Sequence, residues 1–128
     1  MHSQPNGLVS LLEWHASPGA GGIPIHFHER TEEAFYVLRG QIALWLDGEE
    51  LIREPGSYTV VRPGQQHTFW NPANEPAAYL TPIAPGGFED YLRELALGLQ
   101  EAASSAAALR KRLGDRHDIT VVGPPPRG

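Results

Sequence analysis

Apolar residues in this chain come in short runs cut by glycine and proline. The runs cover residues 8–16, 34–39, 41–47, 57–61, 67–70 and 77–84. They are rich in Val, Leu, Ile, Tyr, Phe, Trp and Thr and too short for ordinary helices, so they predict strands. Turn signals separate them: Pro18-Gly19, Arg39-Gly40, Asp47-Gly48, Pro55-Gly56, Pro63-Gly64 and Asn71-Pro72. Asp47-Gly48 is a hairpin signal, because both positions of a tight primed turn need positive φ. Many short strands at this spacing predict an all-β, antiparallel sandwich or barrel.

The period changes after Pro85-Gly86-Gly87. Phe88, Tyr91, Leu92, Leu95 and Leu99 recur at helical spacing and form one apolar stripe. Glu89 and Asp90 fall in the first turn, where acids suit the positive end of the helix dipole. A second helical stretch, roughly 104–113, carries Ala107, Leu109 and Leu113, and Arg110-Lys111-Arg112 precede Gly114 as at a helix C-terminus. The predicted organisation is a barrel over 1–86, a helical region over 87–114 and an extended tail over 115–128. The helical region is expected to cover an open face of the barrel or to pack on a second subunit.

Composition narrows the functional classes. With 128 residues, 41% hydrophobic and 20% charged, the chain suits one globular domain with a core of its own. The net charge is −5 and the ten basic residues are scattered, so no basic patch speaks for nucleic acid. There is no cysteine, which excludes disulfides, thiolate ligands and a cysteine nucleophile. No run approaches the roughly 18 apolar residues of a membrane span, and the first seven residues lack signal-peptide character. The expectation is a cytoplasmic protein with neither a membrane nor a nucleic-acid partner.

The chemistry is concentrated in "GIPIHFHERTEEAFYVLRG", residues 22–40. In a strand, residues two apart share a face, so His26 and His28 converge on one volume while Phe27 points away. Imidazole and carboxylate together suit first-row divalent metals. The pair by itself does not make a site, since most His-x-His pairs bind nothing. Three glutamates are near. Glu29 is too close to His28 to come round from another strand. Alternation places Glu33 with Phe35 and Val37, and Glu32 with Ala34, Tyr36 and Leu38. Both faces look apolar, so spacing leaves Glu32 and Glu33 open. Farther on, Pro63-Gly64 makes a turn and His67 opens the next strand, with Phe69 and Asn71 on its side.

Taken together, the two stretches resemble the two motifs of the cupin superfamily. The first, G-x5-H-x-H-x3,4-E-x6-G, is met by His26, His28, Glu33 and Gly40. The second, G-x5-P-x-G-x2-H-x3-N, is met by Gly56, Gly64, His67 and Asn71. The six residues between Glu33 and Gly40 favour Glu33 over Glu32. Arg62 stands where the second motif has its first proline, and Ala20 where the first has its opening glycine.

The resemblance implies an all-β cupin jelly-roll barrel with a metal inside, held by His26, His28, Glu33 and His67. It implies one divalent transition metal per chain, iron first, with manganese, nickel, copper or zinc as alternatives. The chain from "HTFWN" into "PGGFE" resembles small bacterial cupins of the quercetin-dioxygenase-like kind. A dioxygenase-like enzyme for a small apolar, phenolic or enolic molecule is therefore expected, with Glu33 also as the base. A metal-dependent isomerase or cyclase, and a non-catalytic binding cupin, are the alternatives. Phe35, Val37 and Phe69 are the substrate-contact candidates on the ligand face, and Arg62 is the candidate for a charged grip. Trp14, Trp45, Trp70 and Tyr79 are candidates for the pocket mouth, though core packing is their more ordinary use. Because such cupins commonly carry further strands before the region matching 8–16, a homodimer is expected to fill that edge.

Overall fold

A computed structural model describes residues 9–85, 93–97, 113 and 118–126. Nine strands run in order: β1 Ser10–Ala16, β2 Ile25–Phe27, β3 Glu32–Arg39, β4 Ile42–Leu46, β5 Glu49–Arg53, β6 Tyr58–Val61, β7 His67–Trp70, β8 Ala77–Ala84 and β9 Thr120–Gly123. They form two antiparallel sheets, β1-β8-β3-β6 and β5-β4-β7-β2-β9. The expected antiparallel β fold is thus present as a jelly roll of two facing sheets.

The core lies between the sheets. Phe35, Val37, Val61, Ala77 and Tyr79 come from the first sheet, and Ile42 and Leu44 from the second. Trp14, Leu46, Leu51 and Phe69 pack against them. Burying a large apolar side chain fully is worth roughly 1.5–3 kcal/mol, so these residues dominate the favourable side of folding. In β3, Glu33, Phe35 and Val37 are buried while Glu32, Tyr36 and Leu38 are exposed. The structure therefore decides which apolar face of β3 is inward, a question alternation left open.

Two turns set the frame. Asp47 and Gly48 have φ of 46° and 93° and join β4 to β5, as the hairpin signal predicts. Gly40, with φ 76°, lies where the chain leaves β3 in one sheet for β4 in the other. A Cβ there would come within 2.8 Å of the Pro76 carbonyl oxygen, so the close approach of β8 requires glycine as much as the dihedral does.

Three strands were not among the predicted runs: β2, placed in a strand only through its histidine pair, β5 and β9. β5 carries Glu49 and Glu50 in front of Leu51, so charge hides its apolar content. β9 comes from the segment read as an extended tail, and it pairs with β2. Residues 93–97 and Leu113 are helical, and Leu95 and Leu113 are buried while Leu97 is exposed. The remainder of the two predicted helical stretches, including Phe88, Tyr91, Leu92, Leu99, Ala107 and Leu109, lies outside the described residues. Among the described residues no helix is long and apolar enough to cross a membrane.

Candidate metal centre

His26 sits in β2 opposite His67, which opens β7, and the two are direct cross-strand partners. His28 follows the last residue of β2, and its side chain returns to the same volume. The three rings lie close, with centroids 5.1 Å apart for His26–His28, 4.3 Å for His26–His67 and 5.1 Å for His28–His67. Glu33 reaches this cluster from β3 in the opposite sheet, so the site bridges the two layers. One ligand atom from each of the four residues lies within 4.8 Å of all the others. His28, Glu33 and His67 are buried, at 3%, 6% and 0% exposure.

The imidazoles are held in one orientation. The Nδ1–H of His26 donates to the Pro24 carbonyl, that of His67 to the Gln65 carbonyl and that of His28 to the Asp118 carbonyl, each at 2.9 Å. A carbonyl only accepts, so each Nδ1 carries a proton, and in the neutral ring it is Nε2 that offers a lone pair to the shared volume. Nε2 of His28 and of His67 lie 3.1 and 2.5 Å from Glu33 Oε1. Lone pairs facing a carboxylate oxygen repel unless a proton or a cation lies among them. No lysine or arginine among the described residues pairs with Glu33. Neutral imidazoles tethered through Nδ1, with one buried carboxylate, fit a divalent transition metal.

The ionisation of the cluster follows from its burial and contacts. Burial, with the neighbouring His67 adding to it, pushes the His26 imidazolium down to about 3. Burial also disfavours charge on His28, but the Glu33 carboxylate and the Asp118 carbonyl outweigh it, and its pKa lies above the ordinary value. For Glu33, burial opposes ionisation, yet the contacts with His28 and His67 hold the carboxyl well below the usual carboxylate range.

The two motif stretches are tied to each other. The Gly64 N–H donates to the His28 carbonyl at 2.7 Å, joining the turn before His67 to the end of β2. Asn71 is buried and holds loops rather than the cluster. Its Nδ2 donates to the carbonyls of Ala16, Ser17 and Glu75, and its Oδ1 accepts from the Ala73 N–H.

The other predicted contact residues separate. Phe35 and Val37 are each 1% exposed and pack in the core. Phe69 stacks near Phe35, Trp14 and Tyr79, with ring centroids 4.9, 5.9 and 6.3 Å away. It lines a cleft of about 210 Å³ together with Trp14, Ile23, Trp70 and Tyr79, whereas Trp45 does not reach it. The Tyr79 hydroxyl donates to the Gln41 carbonyl at 2.5 Å, and burial raises its pKa above the ordinary range. Arg62 is exposed in the turn before β7, where its N–H donates to Gln65 Oε1 at 2.8 Å.

The residue that the sequence reading missed is Asp118. Its signal was the run Ile119-Thr120-Val121-Val122, four β-branched residues in a row that mark a strand.

Comparison with known proteins agrees with this geometry. The cupin domain family matches residues 12–83. Over 78 residues the chain is 32% identical to quercetin 2,3-dioxygenase of Bacillus subtilis (strain 168), which covers 61% of this chain and 23% of that longer protein. The fold matches a double-stranded β-helix protein from Klebsiella pneumoniae at a TM-score of 0.59, with 26% identity over 66% of this chain and 73% of that one. It also matches KdgF from Halomonas sp. at a TM-score of 0.62, with 22% identity over 68% of this chain and 77% of that one. The chain belongs to the cupin family, as a small jelly-roll domain whose inward face carries a His/Glu cluster able to hold a metal ion.

Proposed function

We propose that this chain is a metal-dependent cupin enzyme of the dioxygenase-like kind, with His26, His28, Glu33 and His67 as ligands to one divalent transition metal, iron first. The observation that carries the metal reading is the set of three Nδ1–H bonds to backbone carbonyls, which aim three Nε2 lone pairs at the volume reached by Glu33. A metal bound there supplies a Lewis-acid centre for a deprotonated oxygen and a site for dioxygen.

The residues of the chain do the rest. Trp14, Phe69, Trp70 and Tyr79 give the cleft an aromatic lining suited to a flat apolar, phenolic or enolic molecule. Phe35 and Val37 support Phe69 from the core. Glu33 serves in this reading as the carboxylate that receives a substrate proton. Arg62, exposed beside the turn to His67, is the cation available to an acidic substituent. The likeness to the Bacillus subtilis dioxygenase supports the oxidative reading.

The proposed assembly is a homodimer. β1 is an edge strand, and Leu11, Tyr36, Leu38 and Tyr58 are exposed on the same sheet. Sedimentation at micromolar concentration is expected to show the dimer; a monodisperse monomer removes this part.

The enzymatic reading is tested by elemental analysis of protein purified without chelators or a His-tag column, then by oxygen uptake against a panel of flavonols and enols. The expected result is about one metal per chain and oxygen consumption with an enolic or phenolic substrate. Turnover without oxygen replaces the dioxygenase with an isomerase or cyclase. Ligand binding without turnover leaves a binding cupin. Metal-free protein that takes up no divalent ion overturns the proposal.

A further inference from the structure

We propose that Asp118 is a positioning residue for the metal centre, and that docking of the C-terminal strand and binding of the metal are thermodynamically linked. The inference rests on the metal reading above and extends it to a segment outside both cupin motifs.

His28 is the histidine whose Nδ1 is oriented from far along the chain. His26 lies within β2 and His67 within β7, and each donates its Nδ1–H to a carbonyl two residues earlier. His28 lies beyond the end of β2, and the oxygen that orients it belongs to a residue 90 positions away. The same residue fastens the backbone that follows. Asp118 Oδ1 accepts from the Glu29 N–H at 2.8 Å. Its Oδ2 accepts from the Arg30 N–H at 2.9 Å and from the Thr31 hydroxyl at 2.8 Å. Four consecutive residues, 28–31, are therefore held by one aspartate, and they are the link between ligand His28 and the strand that carries ligand Glu33.

The backbone of Asp118 is built for this contact. Its φ is 61°, in the left-handed region that aspartate tolerates better than most residues. Here the chain presents both its carbonyl and its carboxylate to the same loop. Immediately afterwards β9 pairs with the ligand strand, Phe27 with Thr120, His26 with Val121 and Ile25 with Gly123. The C-terminal strand thus flanks β2 along its length and is preceded by the residue whose carbonyl orients His28. If docking of this strand improves the ligand geometry, metal binding must tighten the docking by the same factor.

The test uses the full chain and zinc(II) as the probe. Asp118→Gly retains the carbonyl and the positive φ but removes the carboxylate. It is expected to weaken zinc(II) about tenfold or more in competition with a chromophoric chelator, the range seen when groups supporting a ligand are lost. Asp118→Asn retains one acceptor oxygen and is expected to fall between the two. Nitrogen-15 spectra should show the protonated-Nδ1 signature of His28 weakened in Asp118→Gly, because the retained carbonyl is no longer clasped to residues 29–31, while His26 and His67 keep theirs. In the unaltered chain, zinc(II) is expected to slow amide exchange across 118–123, which decides the matter if Asp118→Gly does not fold. Unchanged affinity in a folded Asp118→Gly, or exchange at 118–123 that zinc(II) leaves unaltered, overturns the linkage while the metal centre stands. An unaltered chain that binds no zinc(II) overturns both.

Discussion

The three histidines of the cluster are oriented in two ways. For His26 and His67 the carbonyl that fixes the ring lies two residues upstream on the same stretch of chain, at Pro24 and at Gln65. For His28 it lies on Asp118, across the whole length of the domain. The local pair is oriented by its own stretches of chain. The third requires the C-terminal segment to have come home. The difference teaches where this site is robust and where it can be tuned: a carbonyl two residues away moves with its histidine, while a carbonyl on β9's approach moves only with the tertiary structure.

The largest effects do not distinguish the two classes, and they test whether the cluster is one site. His26→Ala, His28→Ala and His67→Ala are each expected to lower bound metal at least a hundredfold, since each removes a proposed ligand outright. Glu33→Gln is expected to lower it less, because the amide oxygen keeps its place and loses its charge. Glu32→Gln is expected to change nothing, as Glu32 is exposed on the other face of β3. Metal content measured after dialysis against a defined ion checks all five. Metal retained by His28→Ala alone would show that the remotely held histidine is not a ligand, and metal lost in Glu32→Gln would move the site off the inward face.

A remote tie that ends on no ligand supplies the contrast of the next size. Asn71 bonds four backbone groups, on residues 16, 17, 73 and 75. Asn71→Ala leaves buried carbonyls and an N–H without partners, which costs about 2–3 kcal/mol in stability. Denaturant melts should show that loss, with metal affinity of the folded protein unchanged. An equal loss of affinity would mean that any long-range tie disturbs the cluster, and that the Asp118 contact is not special.

The same contrast explains what could be read in advance. The four cluster residues were legible as a set through the resemblance to the two cupin motifs; pleating alone pairs His26 with His28, and Pro63-Gly64 sets His67 at the start of β7. Alternation could not separate Glu32 from Glu33, since both sides of β3 are apolar. The six-residue spacing to Gly40 in the cupin motif that the chain resembles did so, and the structure shows why that glycine is fixed: it stands at the corner between sheets, against the Pro76 carbonyl. The β-branched run after Asp118 marks a strand, but the contacts of Asp118 were not legible. Its partners are 87 to 90 residues away, and Thr120, Val121 and Val122 are all exposed, so β9 shows no buried alternation that would mark it as part of the sheet. Nor could the chain say which aromatics line the cleft. Trp14 and Trp70 do and Trp45 does not, a matter of how strands face across layers rather than of any local pattern.

Proton competition separates the classes at intermediate size. His28 has its pKa raised above the ordinary 6.5, because Glu33 and the Asp118 carbonyl favour its charged form over the opposing effect of burial. A metal needs the Nε2 lone pair, so it must displace that proton. Affinity is expected to fall as pH drops through the raised His28 value, by about tenfold per unit for one proton, and to level off above it. His26, held down to about 3, adds no competition in that range. In the metal-free chain the signs oppose each other. Folding gains from a charged His28 below its folded pKa and loses that gain as pH rises through it. A neutral His26 makes the folded state less favourable as pH falls from 6.5 towards 3, because only the unfolded chain takes up the proton. Calorimetric titration in two buffers of different ionisation enthalpy counts the protons released; none released at pH 6 would remove the competition.

The smallest effect is the most selective. Thr31 is buried, and its hydroxyl donates to Asp118 Oδ2 at 2.8 Å without touching any ligand. Thr31→Val keeps the shape of the side chain and deletes that one bond, leaving Asp118 Oδ2 with the Arg30 N–H as its remaining short partner. A bond to a charged acceptor is worth about 1.5–3 kcal/mol, but this carboxylate keeps its two N–H donors, so an effect near 1 kcal/mol on the docking of β9 is expected. Through the linkage, part of that reaches the metal as an affinity loss of about threefold. Gln65→Ala is the matched change on the local side. It removes a side chain bonded to the Arg62 N–H but leaves the Gln65 carbonyl that orients His67, so metal affinity should stay as it was. A chelator competition that finds Thr31→Val weaker than Gln65→Ala places the tunable part of the site at the C-terminal clasp. The reverse order would place it at the turn before β7, and the long-range contact of His28 would then be a consequence of the fold rather than a determinant of the site.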